Sequence, residues 1–176
     1  MTRGDARELA VHLIYSREFT GDEPRKIVED RLDEEYYVRL AEENEIYTER
    51  PTAAQTRYIT SVVSGVAENV EELDSVISRY SIGWDVKRIS RLSRAILQLA
   101  IYEISHMTDV PDGVAVSEAV RLVKKYDAEA SAFVNGILGS VVRAKNTPVP
   151  IAETEEQPAE AAEEPAAEAA AAAEEV

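Results

Sequence analysis

Arg3 and Arg7 stand four residues apart near the start of the chain, a spacing that puts both side chains on one face of a helix. Lys87, Arg88, Arg91 and Arg94 stud a second segment, and Arg121, Lys124 and Lys125 a third. Such cationic sets bind phosphates, and arginine also stacks on exposed bases. Each set alone is equally what a solvated helix face looks like, so a binding surface requires that they converge in space. Other chemistry-bearing residues are few. The chain has no cysteine, and its two histidines, His12 and His106, lie far apart, so a zinc site would need carboxylates to complete it. The carboxylate pairs Glu34-Glu35 and Glu71-Glu72 fall in charged helical stretches. There is no glycine-rich phosphate loop, no Gly-x-Ser-x-Gly and no His-Glu-x-x-His. These residues predict a binding protein rather than an enzyme, without metal or cofactor.

The elements that must carry these residues fit in one domain of a 176-residue chain. The formal charge is −15, from 34 acidic and 19 basic residues, which argues against a generic nucleic-acid binder. The average misleads, because Ile151 to Val176 holds eleven alanines, nine glutamates, two prolines and no basic residue. Lacking large apolar side chains, this stretch is expected to be disordered. We divide the chain into a folded domain over 1–146 and an acidic tail over 147–176. The longest apolar runs are too short to span a bilayer, and no signal peptide opens the chain. The sequence therefore predicts a cytoplasmic protein with no membrane contact.

Within the folded part, apolar residues recur at spacings of three and four, and no strand-like alternation appears. The pattern predicts an all-α fold of seven helices. The first runs from about Gly4 to Phe19 on a stripe of Ala6, Leu9, Ala10, Leu13 and Ile14. The second runs from about Pro24 to Asn44, the third from Pro51 with Thr52 as cap to about Val70, and the fourth from Glu71 to Tyr80. After a connector in which Trp84 plugs a core edge, the fifth spans Val86 to His106. Its apolar face is broad enough to predict burial on most sides. The sixth spans Val114 to Tyr126 and the seventh Ala128 to Val142. Asn135 is expected to be structural, with Gly136 permitting close helix approach.

Four segments in order then carry a resemblance. They are Arg3-Gly-Asp-Ala-Arg-Glu-Leu-Ala-Val-His-Leu-Ile-Tyr15; Leu92-Ser-Arg-Ala-Ile-Leu-Gln-Leu-Ala-Ile-Tyr-Glu-Ile104; Val110-Pro-Asp-Gly-Val-Ala-Val-Ser-Glu-Ala-Val-Arg-Leu-Val-Lys-Lys-Tyr126; and Phe133-Val-Asn-Gly-Ile-Leu138. With the lengths between them they resemble the NusB transcription antitermination factor family over about residues 3–143. The resemblance implies a seven-helix fold of two packed sub-bundles and no catalytic reaction. It implies pairing with the ribosomal protein NusE and binding of boxA RNA in nascent ribosomal transcripts. It also implies indirect association with NusA, NusG and RNA polymerase to read through terminators.

By the same resemblance Arg3, Arg7, His12, Tyr15 and Phe133 are expected at RNA, and Tyr15, Tyr126, Asp127 and Ala130 at the protein partner. Gly4 and Asp5 stand where many members carry more arginine. Some members form homodimers, so a homodimer is one state the resemblance allows. Two alternatives stay open: an RNA-binding module of a ribosomal RNA methyltransferase system, and a helical adaptor that does not touch RNA.

Overall fold

A computed structural model describes residues 1–81 and 89–147. Among them are eight α-helices: α1 (Arg3–Thr20), α2 (Pro24–Leu32), α3 (Glu34–Glu43), α4 (Ala53–Glu68), α5 (Val70–Tyr80), α6 (Arg91–His106), α7 (Asp112–Tyr126) and α8 (Ser131–Asn146). Single 3-10 turns at Glu45–Tyr47 and Ala128–Ala130 link α3 to α4 and α7 to α8.

Local chemistry fixes the ends. Thr2 and Asp5 form a capping box at the start of α1, and Thr52 and Gln55 form another at the start of α4. Gly21, at φ 67°, closes α1 in the left-handed region that glycine enters without steric cost. The predicted second helix is two. Asp33 takes an extended ψ of 138°, ends α2 and caps α3 by accepting a hydrogen bond from the Tyr36 amide. The periodicity runs across this break because both pieces pack on the same core. The predicted fifth helix begins later than expected, at Arg91, with Ser90 as its cap. Trp84, Lys87 and Arg88 lie outside the described residues, as does the tail.

The helices form two sub-bundles. In one, α4 packs against α1 and α2; in the other, α6, α7 and α8 pack together with α5 along α6 and α8. The α6 helix joins them by touching α1 and α4, and Ala95, Ile96, Leu97, Ala100, Ile101 and Ile104 are all at most 1% exposed. A fully buried side chain of leucine or isoleucine size contributes about 1.5–3 kcal/mol, so this helix anchors both halves. Buried Ala6 and Ala10 on α1 meet that core without bulk. The close approach predicted at Gly136 is absent; a Cβ there would meet nothing within 4 Å. Asn135 is exposed rather than inside an apolar interface. The close approach occurs instead at Gly65, where a Cβ would overlap the Tyr102 ring. No described helix is long and apolar enough to cross a membrane.

Candidate nucleic-acid interface

The third basic set packs against α1, the helix that carries the first, and Glu8 is the reason. This carboxylate sits on α1 at 2% exposure. It accepts a hydrogen bond from Lys125 Nζ at 2.6 Å and from the Tyr126 hydroxyl at 2.5 Å, and it lies 3.5 Å from Arg121. Burial favours its neutral form, but the Lys125 and Tyr126 bonds outweigh burial and hold its pKa below the ordinary value. His12, one turn further along α1, lies 3.0 Å from the Tyr126 hydroxyl and meets that ring edge-on. Desolvation depresses the His12 pKa, with Arg31 and Lys125 adding to it and Glu8 opposing. Thus α1 is latched to the C-terminal half of α7 by polar contacts, and Lys124 stays exposed beside the latch.

Both latch groups give stability the same pH dependence. A pKa lower in the folded chain means that the unfolded chain binds more protons, so stability falls as pH falls. The His12 contribution weakens below the ordinary histidine value of 6.5. The Glu8 contribution is lost below the ordinary 4.5, as pH falls through its depressed folded value. Melting temperatures measured from about pH 7 to about pH 4 should decline in two phases. His12→Gln should flatten the upper phase and Glu8→Gln the lower. A profile unchanged by either substitution would contradict the latch.

The N-terminal turn is organised differently from expectation. Arg3 is 46% exposed along its side chain, with its guanidinium 4.1 Å above the Tyr58 ring and 3.5 Å from Asp109. Arg7 does not share that surface. Its side chain is 5% exposed, and its Nε donates to both oxygens of fully buried Glu103, at 2.9 and 3.0 Å. The Tyr58 hydroxyl donates to the same carboxylate at 2.8 Å. Burial, with Glu103 beside it, pushes the Tyr58 pKa up. The four-residue spacing correctly puts Arg3 and Arg7 on one helical face, but that face turns under α6. Asp5 has a structural task, its carboxylate accepting from the Thr2 amide in the cap of α1.

The residues expected at the protein partner gather at the far end of α1 and around the α7–α8 link. Tyr15 is half-buried and packs edge-on against Phe19 at 5.1 Å. Tyr126 is half-buried in the latch. Asp127 accepts hydrogen bonds from Ser93 and Ser90, each at 2.7 Å, and these bonds lower its pKa. Ala130 donates its amide to the Asp127 carbonyl, and Ala130 and Phe133 rest partly buried on the core. His12, Tyr126 and Asp127 are therefore first of all structural ties.

Phe19 at this end was missed, and Arg91 of the middle basic set pairs with it. Phe19 is 57% exposed, and the Arg91 guanidinium lies 4.8 Å from its ring centre. The four-residue step from Tyr15 to Phe19 was the available signal. Arg94 of the middle basic set is held by Asp74 in a two-point contact. Among the described residues, no three histidine or acidic side chains gather to hold a metal.

The NusB family model matches residues 4–143. A transcription antitermination protein NusB from Acetivibrio thermocellus is 42% identical over 146 residues, covering 82% of this chain and 91% of that protein. The T. maritima NusB structure matches with a TM-score of 0.66 at 29% identity, over 81% of this chain and 92% of that one. A structure of the antitermination factors NusB and NusE in complex with double-stranded RNA matches with a TM-score of 0.65, over 81% of this chain and 96% of the matched one. At 24% identity the last likeness is one of fold.

Proposed function

The chain belongs to the NusB family, and on that footing we propose that it is a transcription antitermination factor that binds boxA-type RNA jointly with the ribosomal protein NusE. On this reading it acts by binding, as the family match favours. The observation that supports the reading is the Glu8 latch, which holds Arg121 and Lys125 against α1, the helix that carries exposed Arg3, in a chain of net charge −15. Arg121 and Lys125 are partly neutralised by Glu8 and Glu118, so this surface is weakly cationic. A weak cationic surface suits a protein that needs a second RNA-binding partner. Tyr15, Phe19 and Arg91 form the adjoining surface for that partner. The near-full-length match to an antitermination protein favours this reading over a methyltransferase module. The same reading assigns residues 1–146 to binding and 147–176 to an acidic tail.

Arg3 tests it. Its guanidinium is the exposed member of the N-terminal pair, and a charge-assisted hydrogen bond is worth about 1–2 kcal/mol. Arg3→Ala should weaken RNA binding by that amount and make the salt dependence shallower by about 0.7–0.9 in log–log slope. Folding should be unchanged. An unaltered affinity and slope would remove Arg3 from the RNA surface.

A further inference from the structure

A groove lies between α2, α4 and α6. Its wall is a face of α4 with Arg57, Thr60, Ser61 and Ser64; Arg25 from α2 and Tyr102 from α6 complete it, and its volume is about 490 Å³. Among the described residues neither Arg25 nor Arg57 has an acidic partner, and the hydroxyls of Thr60, Ser61 and Ser64 have no hydrogen bond. Arg7, by contrast, is consumed by Glu103, and Arg121 and Lys125 are engaged with Glu8. Two exposed guanidinium groups are thus uncommitted among the described residues. The groove also holds one carboxylate, Glu68.

An aromatic surface adjoins it. The Tyr102 ring lies over Gly65 on the groove wall and stacks in parallel on exposed His106, at 4.8 Å and 11°. Gly65 makes this possible, since any side chain there would displace the ring. In sequence, two residues of the groove neighbour those that hold the N-terminal arginines. Arg57 precedes Tyr58, whose ring carries Arg3, and Tyr102 precedes Glu103, which holds Arg7.

We propose that this groove holds a further stretch of single-stranded RNA. Arg25 and Arg57 take phosphates, Thr60, Ser61 and Ser64 meet ribose hydroxyls and phosphate oxygens, and the Tyr102–His106 stack offers a platform for a base. Guanidinium groups that follow a backbone, joined to stacked rings, are the chemistry of sequence-tolerant single-strand binding. An acidic peptide would use the arginines but leave the stacked rings and the hydroxyl row without a role. The proposal rests on the RNA-binding reading above.

The test uses the full chain with NusE present throughout and two probes: a short boxA-type RNA, and the same RNA extended at its 5′ or 3′ end by oligo(A). For the native protein, one of the extensions should tighten binding about tenfold, with a log–log salt slope steeper by about 1.4 for two added single-strand phosphates. In the double variant Arg25→Gln, Arg57→Gln that gain should vanish, while the short RNA binds as before and the melting temperature holds. Equal binding of short and extended RNAs by the native protein overturns the groove alone. So does a gain that survives the double substitution. Loss of NusE capture in the double variant with RNA binding intact would make this a protein site and overturn the proposal. Failure of both RNAs to bind overturns the antitermination reading and the groove with it.

Discussion

Arg7→Ala is expected to lower the unfolding free energy by about 3–5 kcal/mol, the usual cost of removing one partner from a buried ion pair. Glu103 is wholly buried and, among the described residues, would keep only the Tyr58 hydroxyl as side-chain partner. Its charge would then be left uncompensated inside a contact between α1, α4 and α6. Arg7→Lys should fail to restore the loss, because an ammonium cannot reproduce the in-plane geometry of the guanidinium Nε. Removing both charges with Arg7→Met and Glu103→Leu, and the hydroxyl they would strand with Tyr58→Phe, should recover much of it, since the desolvation of the pair disappears as well. Urea denaturation with the slope held common to all variants measures these differences. A loss below about 1 kcal/mol, accompanied by weakened RNA binding, would return Arg7 to the RNA surface.

The second large effect is expected at Gly65. Alanine normally stabilises a helix interior by about 0.5–1 kcal/mol relative to glycine. Here the added Cβ would occupy the place of the Tyr102 ring, so the ring must leave its position against α4. Overpacking of this kind costs about 1–3 kcal/mol, and the sign should therefore reverse to a net destabilisation. The Tyr102–His106 stack should loosen with it, visible as a shift in the His106 ring resonances. Tyr102→Leu supplies the control. In that background Gly65→Ala should be neutral or stabilising, and the double-mutant cycle should give a coupling of at least about 1 kcal/mol. Additive effects would show that the ring does not depend on the glycine.

These two positions mark what a linear reading of this chain reaches. Helical periodicity, Thr52 as a cap and the burial of α6 were legible because each depends on residues within a few turns of one another. The break at Asp33 was hidden because an aspartate that caps a helix looks, in a charged run, like any solvated acid. Arg7 and Glu103 are 96 residues apart, and nothing local says that two charges on amphipathic helices will meet inside the protein. The same holds for Glu8 and Tyr126, although all four residues fall in the segments that carry the family resemblance. The glycine that permits close approach is hidden for the same reason. Gly136 sits in a conspicuous string, whereas Gly65 is marked only by its neighbour in space. Arg3 kept its expected exposure because it lies in the first turn, where α1 has just begun to bury its apolar stripe.

The central claim is joint recognition of RNA by this protein and NusE, and fluorescence anisotropy of a labelled boxA-type RNA tests it most directly. The RNA is titrated with this protein alone, with NusE alone, and with an equimolar mixture at one fixed salt concentration. The weakly cationic surface around Glu8 predicts feeble binding by this protein alone and at least about tenfold tighter binding by the mixture than by either component. An affinity for RNA that does not change when NusE is added would contradict the account.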